Sequence, residues 1–205
     1  MDDYKNIAGF YDMVTAFFLE KARTAAVDIC RETGARRILD VGCGTGIMAQ
    51  KLMRSGNTVV GLDSSPAMLS IAGKTLTRNK QSPVFVFADA GHPPFQPGSF
   101  DLALYSLILH ESSSDAEDLL QAGFQLAPLA LVLEWRLPVS FFDRASLIWR
   151  HVIERMAGSG HYQRFCHFLE HGGVHGIARR SEASVIAERA IAATGLSLFL
   201  LRKKK

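Results

Sequence analysis

Ile38-Leu39-Asp40-Val41-Gly42-Cys43-Gly44-Thr45-Gly46 carries an apolar stretch straight into a GxGxG loop, and Asp63 lies 21 residues beyond Gly42. A glycine loop lets backbone amides approach a ligand, because no side chain blocks them and left-handed backbone angles cost little. A carboxylate ending the next apolar run can accept hydrogen bonds from both hydroxyls of a ribose. Together they point to a ligand that contains a nucleoside. Each aspartate also has a plainer use: Asp40 can fix the turn, and Asp63 can cap the helix after it.

His110-Glu111 is the second reactive group. Neutral imidazole suits proton transfer near pH 7, and Glu111 can orient it or simply face water. A polar residue ending a strand is the plainer reading of His110. His161, His167, His171 and His175, with Cys166 among them, form the third group. His167 and His171 share a helix face, but Gly172-Gly173 breaks that helix before His175, so three or four zinc ligands of defined geometry are not expected there. Cys166 reads as a small buried residue, and no metal is expected.

The elements that must position these groups alternate in type through the first two thirds of the chain, the mark of a parallel sheet. Arg36 to Val41, Thr58 to Leu62, Val84 to Ala88, Leu102 to Leu109 and Leu129 to Trp135 are apolar runs suited to strands buried on both faces. Ser65-Pro66 opens a helix expected to reach Arg78, with Ser65 as cap and Pro66 at the first helical position. Ser114 and Glu117 make a capping box for another. Further helices are expected over Thr15 to Arg31 and from the glycine loop to near Gly56. After Pro138 the sequence turns aromatic-rich and helical up to about residue 180, which reads as a lid; Ser181 to Thr194 reads as a helix and Leu196 to Leu201 as a closing strand.

The 205 residues are 48% hydrophobic and 21% charged, the scale of one domain with its own core. With 13 Phe, 4 Tyr and 2 Trp, the chain is not disordered throughout. The longest apolar run, Leu126 to Leu133, is too short to span a bilayer and holds Pro128, so no stable membrane insertion is expected. The polar start Met1-Asp2-Asp3-Tyr4-Lys5 and three scattered cysteines, Cys30, Cys43 and Cys166, fit a cytoplasmic protein. Apart from the terminal Arg202-Lys203-Lys204-Lys205, a net charge of +3 leaves no basic stripe, so no nucleic-acid partner is expected. The sequence gives no oligomeric state.

From Tyr11 to Arg136 the chain resembles class I S-adenosylmethionine-dependent methyltransferases, in particular the small-molecule group that includes the quinone-biosynthesis enzymes. The resemblance is carried by Tyr11-Asp12, the segment Leu39 to Gly46, Gly61-Leu62-Asp63-Ser64-Ser65-Pro66-Ala67-Met68-Leu69, Ala88-Asp89-Ala90, Pro94-Phe95 and Ser99-Phe100-Asp101. It implies an α/β fold: a doubly wound, mostly parallel Rossmann-like sheet of roughly six to seven strands, helices on both faces and a C-terminal helical lid. One domain covers 1–205, with a cofactor-binding core over about 11–136, the lid over 138–180 and a closing helix and strand over 181–205.

S-adenosylmethionine is the implied cofactor and a small, possibly apolar or aromatic molecule the implied methyl acceptor. Asp40, Gly42, Gly44 and Gly46 would hold the methionine end, Asp63 with Ser64 the ribose, and Asp89, Ala90 and Met68 the adenine. Tyr105 and Ser106 would lie beside the sulfonium, Tyr11 would close over the cofactor, and His110 would take a proton from the acceptor. Met68 can equally face the core, and Asp89 can bond its own backbone. Two departures stand out. Ala127-Pro128-Leu129 replaces the usual Pro-Gly-Gly turn before the fifth strand, and the sixth strand is not visible. The rival readings are a nicotinamide-dependent oxidoreductase, disfavoured because the loop lacks the GxGxxG form, and a non-catalytic module that binds an adenosyl ligand.

Overall fold

The structure is a computed structural model that describes residues 8–76, 84–112, 116–138, 151, 155, 159–192 and 194–204; side chains 8–18, 75 and 76 lie outside that description. The elements run α1 (Ala8–Glu32), β1 (Arg37–Val41), α2 (Ile47–Arg54), β2 (Thr58–Asp63), α3 (Pro66–Leu76), β3 (Val84–Phe87), β4 (Leu102–Ser106), α4 (Ala116–Leu126), β5 (Leu129–Trp135), α5 (Ser159–Glu170), α6 (Gly173–Arg180), β6 (Ala183–Ala190) and β7 (Leu196–Lys203). Among the described residues no helix is long and apolar enough to cross a membrane.

One seven-stranded sheet has the order β3-β2-β1-β4-β5-β7-β6. The first five strands in that order pair in parallel, and β7 runs antiparallel to both β5 and β6. Successive strand residues point to opposite faces, and every residue from Ala130 to Trp135 is buried, so both faces of the sheet are covered at β5. Strand order reverses between β1 and β4. In open α/β sheets the crevice outside the carboxyl ends of such strands is where ligands bind.

Local chemistry explains the entries into these elements. The Ser65 hydroxyl accepts the Met68 amide at 3.3 Å, so Ser65 caps α3 and Pro66 fills its first position, as the sequence predicts. Glu117 and Asp118 place negative charge in the first turn of α4, while Ser114 of the expected capping box lies outside the described residues. In place of a Pro-Gly-Gly turn, the Ala127 amide closes on Gly123 O at 2.9 Å, and β5 starts two residues later.

The C-terminal third corrects one expectation. Ser181 to Thr194 is not a helix: Ala183–Ala190 is β6, the outer strand, paired antiparallel with β7 from Ala183↔Lys203 to Ala190↔Ser197. Its Ala, Glu and Arg content favours a helix locally, but the edge of β7 offers a ladder of backbone hydrogen bonds that outweighs propensity. The sixth strand is thereby identified. In the expected lid, residues 139–150 lie outside the described residues, whereas α5 belongs to the body of the protein, burying Phe165 and Phe168 in the main core. Gly172 and Gly173, at φ 88° and 56°, separate α5 from α6 as their pairing predicts.

Candidate active site

The GxGxG loop joins β1 to α2 at the switch point of the sheet. Gly42, Gly44 and Gly46 all have left-handed backbone angles, with φ of 65°, 53° and 76°. Their reasons differ. A Cβ on Gly42 would lie 2.2 Å from Ile108 Cδ1, so this glycine lets the loop after β4 close over it. A Cβ on Gly44 would meet nothing within 4 Å and would project into open space, leaving that backbone accessible to a ligand.

Asp63, at the end of β2, pins this loop. Its Oδ2 accepts the Gly44 amide at 2.8 Å and its Oδ1 accepts the Ser65 amide at 2.8 Å. The carboxylate thus shapes the start of α3, one of the uses expected from sequence, and also lines the pocket.

Asp40 is wholly buried in β1, yet neither carboxylate oxygen has a hydrogen-bond partner among the described residues. Burial, then the neighbouring Asp63 carboxylate, push its pKa up to about 7; the Ala49 amide and the Arg23 guanidinium pull the other way. A buried carboxylate left in this condition fits a cationic ligand group. Burial also raises the Cys43 thiol well above its ordinary value, helped by the charges of Asp40 and Asp63, so it is unsuited to act as a nucleophile.

The pocket has a volume of about 220 Å³, and its lining includes Asp40, Gly42, Gly44, Asp63, Ser64, Met68, Ala90 and Ser106. Three expected contacts, Gly46, Tyr105 and Asp89, do not line it; a Cβ on Gly46 would lie 2.8 Å from Phe85 Cζ, so this glycine serves packing against β3. The Tyr105 ring is buried and its hydroxyl donates to Leu119 O at 2.9 Å, so the side chain points under α4 and not toward the pocket. Gly123 permits this, since a Cβ there would sit 1.8 Å from the Tyr105 hydroxyl. The Asp89 carboxylate is 70% exposed and bonded to the His92 ring and the Gly91 amide, which together hold its pKa below the ordinary value. It does not line the pocket; Ala90 does. Tyr11 sits on α1, with its side chain outside the described residues.

Beyond β4 the chain leads through Leu107, at φ 57°, to His110, which is buried. Its Nδ1 lies 2.8 and 2.9 Å from the two carboxylate oxygens of Glu134 in β5. Glu134 is fully buried; its Oε1 also accepts the Trp135 amide at 2.8 Å, and its Oε2 the His110 amide at 3.3 Å. A ring whose Nδ1 donates to a carboxylate presents Nε2 as a lone pair. Glu111 lines the pocket, joining this dyad to it.

Sequence reasoning missed Arg23 and Glu134. Arg23 is 7% exposed, lines the pocket and lies on the buried face of α1 with Leu19, Ala22 and Ala26. A charge on an apolar helical stripe was the available signal. For Glu134 the signal was the one carboxylate inside the apolar run Leu129 to Trp135. Of the histidines after residue 160, His161 meets the His110 ring at 5.3 Å, whereas His167 and His171 stack on each other at 3.8 Å and His175 pairs with Glu188 at 3.0 Å.

Residues 38–127 match the methyltransferase domain family. The chain is 33% identical over 115 residues to malonyl-[acyl-carrier protein] O-methyltransferase of Legionella pneumophila, covering 55% of this chain and 38% of that protein. It is 30% identical over 164 residues to demethylmenaquinone methyltransferase of Tropheryma whipplei, covering 75% and 66%. A shorter match, 40% over 77 residues, is to an 18S rRNA (guanine-N(7))-methyltransferase of Schizosaccharomyces pombe, covering 37% and 28%. The chain thus spans less than two thirds of the length of these relatives. In fold it is similar to magnesium protoporphyrin IX methyltransferase from Synechocystis PCC 6803 with bound SAH, at a TM-score of 0.69 and 16% identity over 99% of this chain and 98% of that one.

Proposed function

We infer that this chain, which belongs to the class I S-adenosylmethionine-dependent methyltransferases, transfers a methyl group to a small-molecule acceptor. The observation that carries this reading is Asp40: a buried carboxylate without a hydrogen bond among the described residues, beside a loop open at Gly44. It suits the α-ammonium of a methionine moiety. The same buried charge would repel a dinucleotide pyrophosphate, which argues against a nicotinamide cofactor.

When bound, S-adenosylmethionine supplies an electrophilic methyl group on a sulfonium. Asp40 would pair with the ammonium, Arg23 with the α-carboxylate, and the amides around Gly44 would hold the methionine end. Asp63 with Ser64 would hold the ribose, and Met68 and Ala90 the adenine; Ser106 and Ile108 line the same pocket. Displacement at a sulfonium consumes charge, so alignment and exclusion of water provide most of the catalysis. If the acceptor must lose a proton, His110 Nε2 takes it while Glu134, the positioning residue, fixes the tautomer and stabilises the imidazolium.

The small-acceptor reading draws on the longer match to the demethylmenaquinone relative against the shorter one to the rRNA relative. Calorimetric titration with S-adenosylhomocysteine and, separately, NADH tests the cofactor assignment. Stoichiometric binding of the former alone is expected; NADH binding, or undiminished S-adenosylhomocysteine affinity in Asp40→Asn and Asp63→Ala, would overturn it.

A further inference from the structure

We propose that His110, Glu111 and His161 form a binding site for a divalent transition-metal ion of the zinc class at the acceptor end of the pocket. The inference deepens the methyl-transfer reading and rests on it for the role of the ion, though not for its ligands.

One ligand atom from each of these three residues lies within 4.8 Å of the others. Glu111 Oε1 and His161 Nδ1 are 3.9 Å apart, and the His110 and His161 rings meet edge to face with centroids 5.3 Å apart. Two imidazoles and a carboxylate are a ligand set for zinc, with bond lengths of about 2.0–2.2 Å. Tetrahedral coordination at those lengths places ligand atoms roughly 3.4 Å apart, so side-chain movements on the order of 1 Å close the site. His110 and the adjoining Glu111 hang on the loop after β4 and His161 is in the first turns of α5, so the site ties the cofactor-binding half of the sheet to the C-terminal helices.

Glu134 gives the cluster its second shell. Metal-bound histidines almost always donate their other ring nitrogen to a carboxylate or carbonyl, which fixes the tautomer and raises ligand basicity. Glu134 holds His110 Nδ1 through both oxygens and is itself held by the Trp135 amide. Phe165 and Phe168 pack around His110 with ring centroids 6.1 and 6.2 Å away, limiting water on that side.

Three protein ligands leave a coordination position for substrate, the arrangement of a catalytic and not a purely structural zinc site. Glu111 belongs to both the ligand set and the pocket lining, so the two sites adjoin. With the ion in place, His110 is a ligand and no longer the proton acceptor. An acceptor hydroxyl or thiol that coordinates gives its proton to water, and the ion offsets the charge of the oxygen or sulfur anion left as nucleophile.

The test is calorimetric titration of the full chain with Zn2+, with metal content of the desalted protein measured in parallel. One equivalent per chain is expected. His161→Ala and Glu111→Gln should each weaken binding by more than the ~10–100-fold that loss of a second-shell partner costs, and Glu134→Gln should fall within that range. Co2+ in place of Zn2+ should give the intense visible absorption of a four- or five-coordinate site, lost in His161→Ala. His161→Ala should bind S-adenosylhomocysteine as the parent does, which also shows that it is folded. Absence of stoichiometric Zn2+ binding, or binding that survives both His161→Ala and Glu111→Gln, overturns the metal site while leaving the cofactor reading intact. Loss of S-adenosylhomocysteine binding from a parent protein that still takes up Zn2+ would instead overturn the cofactor reading.

Discussion

Two carboxylates are fully buried, Asp40 in the pocket wall and Glu134 behind His110, and the two are treated in opposite ways. Glu134 accepts hydrogen bonds from the Trp135 amide, the His110 amide and the His110 ring. Asp40 accepts none from the described residues and is pushed up to about 7. Burial cost is similar for both, so the difference lies in what offsets it. At the acceptor end the protein satisfies its own buried charge and thereby fixes an imidazole. At Asp40 no described residue completes a hydrogen bond, so folding bears the cost of burying it, and the proposed ligand ammonium would relieve that cost.

Removing the saturated carboxylate should have the largest effect. Glu134→Ala strands His110 and two amides, and urea denaturation should show a loss of about 3–5 kcal/mol, with Glu134→Gln well below that. Asp40 should behave in the reverse sense. Its folded pKa of about 7 exceeds the ordinary 3.8, so the native state holds the proton more tightly, and stability falls as pH rises between those values. The loss is at most ~4 kcal/mol above neutral pH, and Asp40→Asn should abolish that slope and be the more stable protein there. Saturating S-adenosylhomocysteine should flatten the slope in the parent, and affinity for it should rise as pH passes through the titration of Asp40. A stability profile unchanged by Asp40→Asn would break the comparison.

Asp63→Ala removes the bonds to the Gly44 and Ser65 amides. Charge-assisted bonds of this kind contribute roughly 1.5–3 kcal/mol each at most, so about 3 kcal/mol of stability should go, with S-adenosylhomocysteine binding weakened about 100-fold. A variant that loses stability but retains full affinity would reduce Asp63 to a loop pin. The smallest effect belongs to Met68→Leu, a volume-conserving exchange in the pocket wall that should change stability and cofactor affinity by less than about 1.5 kcal/mol each.

Sequence alone determined the parts of this protein whose chemistry is local. The glycines of 42–46 require left-handed angles at their own positions, Ser65-Pro66 caps its own helix, and a carboxylate at the end of β2 falls beside the loop after β1 because adjacent parallel strands end together. The central strands β4 and β5 announced themselves as apolar runs because both of their faces are buried, whereas β3, an equally apolar run, lies at the sheet edge and exposes Val84 and Phe87. Where local preference and tertiary pairing disagree, the sequence misled: Ala183–Ala190 favours a helix by composition, yet the free edge of β7 makes it a strand. The partnerships of the acceptor end were beyond reach, since His110 meets Glu134 and His161 only after β4, β5 and α5 are packed together. Tyr105 turned under α4 for the same reason, its direction being set by the space above Gly123. Backbone rules act over a few residues and can be read along the chain; which distant side chains share a dry interior depends on packing.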